Sequence, residues 1–485
     1  MSTQKIATST LWQIASQCVM AALSILTVKF VALGLSKELF GNYNSAYGYL
    51  QLFGILADFG LYAVAVREVS KAKNRSEVLG ALIILRCIIL IVSLGAALLF
   101  AWILPMWRDT PLPMGILIAS LVPAFTLLAG ILRTVFQVHY RMQYVFVAEV
   151  TQRVITAGLM ALFIVLGVRA STDLSVYHLF LFIGGIGAFA LFLFSFVFAN
   201  RLEKIRLHFN KELILDLARK AAPFGVAYLC MALYRQFDVT LIALLRPDFE
   251  LQNAYYGPVI RMMDMAFLLP TFLLNSALPV LSERDAKKQD TRTLLGKTFV
   301  AIMLIGVIAA LFSFIWSRPL VQLLTTESYL STALRPGSDT ALRLLATPML
   351  MNGIILYGFY VLLTKHAWRK LVTVLVIGAV ASIALNLFLI PEYGFVGASY
   401  TSIIVNLALA CAFLPLALRV MPMKIDRPQW TRALLFAVLL AIFLELLAPF
   451  LRNEWFTLSA LVLAVLYMAG VAWLIKLPRA LGLLM

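Results

Sequence analysis

Apolar residues fall in long runs separated by short polar turns, and run length is the most informative pattern in this chain. A helix needs about 20 predominantly apolar residues to cross a bilayer, and by that measure about fourteen spans are predicted. They cover 8–33, 42–66, 78–104, 114–139, 144–167, 174–199 and 220–245 in the first half. The second half continues with 254–281, 293–316, 339–364, 370–390, 394–418, 431–450 and 455–476. The first run extends for about 26 residues from Thr8, longer than a signal-peptide core, and reads as the first span and not a cleaved leader. The expected class is an all-α polytopic membrane protein, with two six-helix lobes and two further C-terminal helices.

The longest of the connections expected on the cytoplasmic side, residues 200–220, carries alternating charges and reads as a hinge. It divides the chain into an N-lobe at 1–200, a linker at 201–219 and a C-lobe at 220–418, with the extra pair of spans at 431–476. A short echo supports duplication: GNYNSAYGY opens the second span and QNAYYGPVI opens the eighth, each just after a short turn. Two lobes repeated in parallel are one of the recognised plans of transporters. No low-complexity segment or extramembrane domain is visible, and the longest connection on the other side, 317–338, is short.

Composition agrees with the run pattern. Apolar residues make up 62%, charged residues 13%, and the mean hydropathy is +0.94, far from the balance of a soluble domain. The net charge of +17 raises the question of a nucleic-acid partner. The lysines and arginines sit in short turns and form no continuous basic face, so no nucleic acid is expected.

Their distribution instead predicts orientation. With both termini in the cytoplasm, 26 of the 40 basic residues fall on the cytoplasmic side, including Arg67, Lys71, Lys73, Arg75, Arg206 and Lys288. Seven fall outside, Lys37, Arg108, Arg169, Arg246, Arg318, Arg335 and Arg452, and seven within spans. That asymmetry is the positive-inside pattern. Cys18, Cys87, Cys230 and Cys411 lie in separate apolar runs with no metal-ligand spacing, and read as small buried hydrophobes.

The chemistry-bearing residues are the charges inside the spans: Lys29, Asp58, Arg86, Arg133, Glu149 and Arg153 early, and Arg235, Asp238, Arg261, Asp264, Arg343 and Glu445 later. An ionised side chain in hydrocarbon costs about 2.5–3.5 kcal/mol by insertion scales, so such residues usually face a bundle interior or a water-filled cavity. Arg235 with Asp238, and Arg261 with Asp264, are each spaced by three, which on a helix puts both members on one face. Each pair reads either as self-neutralising or as part of a polar binding surface. Glu149 and Arg153, four apart with the acid first, read as an intrahelical salt bridge. Arg133 either lines a cavity or snorkels to the cytoplasmic surface.

Basic residues outnumber acidic ones within the spans, which suits an anionic cargo. Pro270, Pro123, Pro348 and Pro415 lie mid-span, and Pro270 is expected to kink the eighth helix. His139, His178, His208 and His366 are scattered near span ends. There is no Gly-rich phosphate loop, HExxH or nucleophile elbow, so neither a cofactor site nor an enzyme is indicated.

The stretch LGLSKELFGNYNSAYGYLQLFGILADFGLYAVAVREVSK resembles the signature of the polysaccharide transporter family, through Phe40, Gly41, Tyr43, Asp58, Gly60, Arg67 and Glu68. Residues 234–283 are similar to that family's seventh and eighth spans, through Asp238, Tyr255, Arg261 and the Ala-Leu-Pro-Val-Leu-Ser ending at Ser282. LNLFLIPEYGFVGASYTSIIVN resembles its eleventh-to-twelfth turn, with Asn386, Pro391, Gly394 and Gly397. Where the family usually has glycine before the tyrosine opening span eight, this chain has Asn253.

The resemblance implies a Wzx-type flippase of the bacterial inner membrane, in the multidrug/oligosaccharidyl-lipid/polysaccharide (MOP) exporter superfamily. It implies a polyprenyl-diphosphate-linked oligosaccharide as cargo, in assembly of O-antigen, capsule or exopolysaccharide. Lys29, Arg86, Arg153, Arg235 and Arg261 are then candidate cargo-binding residues, and Asp58, Asp238 and Asp264 candidates for coupling to H+ or Na+. Polysaccharide polymerase and chain-length proteins are the expected partners. A multidrug-type cation antiporter and a non-transporting scaffold of a glycan-assembly complex are the alternatives.

Overall fold

The computed structural model describes residues 3–478 except 59, 73, 206, 208, 288 and 366, and side chains from Val19 onward. Within that range, the side chains of 63, 223, 269, 272 and 275–286 are also left undescribed. Of the residues singled out from sequence, Lys73, Arg206, His208, Lys288 and His366 lie outside the described residues. The described chain is helical throughout and folds as two compact units, residues 1–257 and 258–485.

The first unit contains α1 (Thr3–Gly34), α2 (Lys37–Asp58), α3 (Leu61–Lys71), α4 (Arg75–Ile103), α5 (Leu112–Ala119) and α6 (Leu121–Val138). It continues with α7 (Gln143–Val165), α8 (Leu174–Leu202), α9 (Lys211–Arg235), α10 (Asp238–Leu245) and the opening of α11 (Phe249–Ala286). Helix starts follow local chemistry: the side chains of Asn74, Asp173 and Asn210 accept hydrogen bonds from the backbone N–H groups of Glu77, Ser175 and Leu213. Such a cap contributes about 1 kcal/mol. α1 is closed by its neighbours, since the N–H groups of Ala170 and Ser171 donate to the carbonyls of Leu33 and Gly34 at its end.

α2 is the centre of this unit, packing on α4, α5, α9 and α10, while α3 packs on α4, α6 and α9. A core built from Leu61, Leu82, Phe136 and Leu217 joins α3, α4, α6 and α9. The outward residues of α4 are also apolar, with Ile91 73% and Val92 67% exposed, as a lipid-facing surface requires.

The second unit comprises the rest of α11, then α12 (Arg292–Ile315), α13 (Ser317–Leu324), α14 (Ser338–Thr364), α15 (Trp368–Tyr393), α16 (Phe395–Val420), α17 (Arg427–Leu447) and α18 (Glu454–Leu474). α14 is its core helix, packed on α12 and α16, and 67% of its most apolar stretch is buried, against 22% for α17 and α18. Lipid is as apolar as leucine, so these outer helices gain little from apolar burial. A hydrogen bond from the Trp316 indole N–H to the Leu444 carbonyl, 2.9 Å, ties α17 to the α12–α13 junction.

Among the described residues, ten helical segments are long and apolar enough to cross a membrane, or eleven when a bent pair counts as one. These match eleven of the fourteen expected spans. The other three stretches are helical, as α1, α2–α3 and α11, of which α1 and α11 are only partly described. α2 is diluted by Asn42, Asn44 and Ser45, all buried. α11 continues as one helix through Pro270.

Candidate functional site

The buried charges of the first unit gather where helices are interrupted. α2 stops at Asp58 and α3 begins at Leu61, with Gly60 between them in the left-handed conformation, φ 67°. That conformation favours glycine, and a Cβ there would also meet the Phe224 Cβ at 2.5 Å. Arg86 of α4 grips the broken end. Its Nη1 donates to the Ala57 carbonyl and its Nη2 to the Asp58 carboxylate, each at 2.7 Å. Arg86 is fully buried, whereas the Asp58 side chain is 38% exposed, so the pair presents its acidic member to the surface. The guanidinium Nε has no hydrogen-bond partner.

A second charged group lies on the next helices. Tyr62 of α3 donates to the Gln137 amide oxygen of α6, and the Arg133 guanidinium sits 6.0 Å from the Tyr62 ring centre. Glu149 of α7 accepts from Arg133 at 3.0 Å. The expected alternative of a snorkelling Arg133 therefore gives way to an interhelical ion pair. Its partner, Glu149, is the glutamate that the four-residue spacing also places beside Arg153. Arg153 is half-buried on the same helix. Tyr62 and Gln137 were not singled out from sequence, because neither is charged.

The second interruption corrects the sequence reading. α9 ends at Arg235, α10 begins at Asp238, and the apolar segment is bent by 57° between them. The three-residue spacing thus does not put Arg235 and Asp238 on one helix face. Asp238 becomes the first residue of a new helix, where the exposed N–H groups favour a carboxylate. It is 2% exposed and accepts a hydrogen bond from the Tyr256 hydroxyl at 3.0 Å. No Pro or Gly marks this break, which is why the sequence conceals it. Arg235 is half-buried, as is Lys29 on α1. In the second unit, Arg261 and Asp264 share the unbroken α11 and are both half-buried, so their one-face spacing holds.

The two similar openings, GNYNSAYGY on α2 and QNAYYGPVI on α11, pack against each other. They align with an offset of 209 residues on the shared Tyr-Gly, and equivalent residues touch. Asn44 donates to the carbonyl of Asn253 at 3.3 Å, and a Cβ on Gly41 would fall 1.6 Å from the carbonyl oxygen of Glu250. Asn253 donates to the Ser45 hydroxyl at 2.8 Å and the Val239 carbonyl at 2.9 Å, and Asn42 donates to Glu250 at 2.7 Å. Self-pairing of equivalent residues is the mark of a local two-fold relation. The Asn253 substitution noted in the sequence is the donor that stitches α2 to α10.

The turn before α11 is fixed by Asp248, which accepts from Arg246 Nε and Gln252 Nε2, each at 2.7 Å. Burial acts to raise its carboxyl pKa, but these hydrogen bonds outweigh that and hold it below its ordinary value. Among the described residues, no group of histidine, cysteine and carboxylate side chains is arranged to hold a metal ion.

A helical fold with many apolar spans, buried ion pairs and helices interrupted at the charges defines a class: multi-pass membrane proteins. A model of the family "Polysaccharide biosynthesis protein" matches residues 6–284, and the chain belongs to that family. Its fold is similar to those of several solved membrane transporters. The lipid II flippase MurJ in an inward closed conformation superposes with a TM-score of 0.68 at 14% identity, covering 96% of this chain and 98% of that one. An inward-facing multidrug resistance MATE transporter gives 0.65 at 12% identity, covering 85% and 98%. A MOP superfamily transporter from Pyrococcus furiosus, described by a binding pocket of reverse polarity, gives 0.60 at 14%, covering 86% and 95%. No curated protein matches the sequence.

Proposed function

We propose that this transporter is a flippase for a polyprenyl-diphosphate-linked oligosaccharide, moving it from the cytoplasmic to the outer leaflet of a bacterial inner membrane. The product would feed O-antigen, capsule or exopolysaccharide assembly. Membership of the polysaccharide biosynthesis family is the observation that carries this reading. The excess of arginine and lysine over carboxylates within the spans supports it, since arginine binds phosphate oxygens through its planar fork.

In this reading the lobes follow the sequence repeat, 1–200 and 220–418, and alternate access between the two sides with both termini in the cytoplasm. Arg235, Arg261, Lys29 and, in a lesser role, Arg153 are the residues assigned to the diphosphate or sugars. Arg86 contributes through Asp58, because its own nitrogens are turned to the end of α2. Asp58, Asp238 and Asp264 carry the coupling ion, H+ or Na+, and of these Asp58 is partly open while Asp238 is sealed. The polymerase and chain-length proteins would receive the product.

Flipping of a lipid-linked oligosaccharide in proteoliposomes, with and without a pH or sodium gradient, tests the proposal. Headgroup exposure on the far leaflet that depends on the gradient is expected, and Arg235→Ala and Arg261→Ala should each reduce it about tenfold or more. Unimpaired flipping in both variants would remove the cargo-binding assignment. Uptake of an organic cation without flipping would favour the multidrug-type antiporter, to which the fold is also similar.

A further inference from the structure

Arg343 is a membrane-depth charge that the transport reading leaves unused. It lies in the second turn of α14 and lines a cavity of about 590 Å³ in the second unit, together with Ser317, Arg318, Glu327, Ser331 and Leu451. The volume falls within the about 300–1,000 Å³ typical of small-molecule sites. A bare inorganic ion would leave most of it empty.

The charges of this cavity are unequally matched. Arg318 is 3.6 Å from Asp339 and donates to the Ser331 carbonyl and hydroxyl, both at 3.3 Å. Asp339 in turn accepts from the Ser331 N–H and hydroxyl at 2.6 Å each, which holds the loop. Arg343 has no carboxylate within ion-pair distance among the described residues. Its Nη2 reaches only the Ser317 hydroxyl, at 3.5 Å, and its guanidinium lies 5.7 Å from the Phe314 ring centre. Glu327, the carboxylate on the lining, is exposed and accepts from Gln322 at 2.9 Å.

Beside this largely polar lining, apolar side chains face outward. Phe314 is 56% exposed and Phe450, between the lining residues Ala448 and Leu451, is 67% exposed. An exposed guanidinium with no carboxylate in ion-pair contact, beside an outward-facing aromatic ring at a largely polar cavity, suits an anion joined to an apolar body.

We propose that this cavity is a binding site for the phosphodiester group of a membrane glycerophospholipid. Arg343 and Arg318 hold the phosphate oxygens, Ser317 and Ser331 supply hydroxyls, and Phe314 and Leu451 face the glycerol and acyl portion. The lipid is a resident ligand, distinct from cargo. Only its assignment to the outer leaflet depends on the orientation proposed above.

The full-length protein in detergent, titrated with phosphatidylglycerol and followed by native mass spectrometry, tests this site. Diacylglycerol with the same chains is the probe lacking phosphate, and inorganic phosphate is the probe lacking the lipid. Phosphatidylglycerol should bind about tenfold more tightly than diacylglycerol, and Arg343→Ala should remove that difference. Leu451→Trp, which fills the cavity and changes no charge, should weaken phosphatidylglycerol binding to a similar degree. Binding unchanged in both variants, or equal for the two lipids, overturns the proposal. Displacement of the lipid by inorganic phosphate at similar concentration also overturns it, by making the site one for the free ion.

Discussion

Asp58 and Arg86 form a charge pair that holds a helix end and still leaves one of its members open. Arg86 is committed to the end of α2, while Asp58 keeps one side open. Asp58→Ala would leave a buried guanidinium with a backbone carbonyl as its remaining acceptor, at a cost of about 2–4 kcal/mol, the lower end applying because Asp58 is partly solvated. The double variant Asp58→Ala with Arg86→Met should recover part of that loss, since an apolar side chain of similar length needs no counter-charge. Thermal unfolding of the purified protein measures both, and a double variant no more stable than the single one would contradict the pairing. The sequence shows both residues, since charges in apolar runs are conspicuous. It does not show the pairing, because residues 28 apart meet only through the return of α4 alongside α2. The same limit applies to Glu149, whose bond from Arg133 on another helix cannot be read from spacing along its own helix. Tyr62 and Gln137 carry no charge, so apolar-run reading passes over them.

Interruption is the device that the run pattern cannot display at the scale of helices. Two apolar stretches, 42–66 and 220–245, read as single spans, yet each is built from two helices with an aspartate at the break. Gly60 leaves a trace of the first break, while Gln236 and Phe237 leave none for the second. The α2–α11 contact was half legible, because the echo of GNYNSAYGY and QNAYYGPVI is in the sequence but its self-pairing is a property of the folded chain. Close approach there depends on small residues. A Cβ on Gly257 would lie 2.5 Å from the Asn44 side chain, and one on Gly48 2.6 Å from Val239. The contact makes a direct prediction. A chain carrying Asn44→Cys and Asn253→Cys should form an intramolecular disulfide under mild oxidation, detected as a mobility shift reversed by reductant. Pairing Asn44→Cys with a cysteine at Gln252, one position round the helix, should do so much less.

For the whole molecule, orientation follows from charge more than from packing. The turns proposed to lie inside gather most of the lysines and arginines, and such asymmetry governs insertion because basic residues near span ends resist translocation. The fold is compatible with either orientation, so this reading stands on the sequence and is open to a test independent of transport. Single cysteines placed at Arg75 and Lys211 should react with a membrane-impermeant maleimide only after the inner membrane is opened. Cysteines at Arg108 and Arg335 should react in intact spheroplasts. Both acceptor pairs lie in or beside connections, where substitution disturbs no described ion pair. The reverse labelling pattern would invert the proposed direction of flipping, because cargo captured by the interior arginines would then start from the other leaflet. It would leave the helix interruptions, the charge pairs and the family assignment in place, since none of these depends on which side the termini occupy.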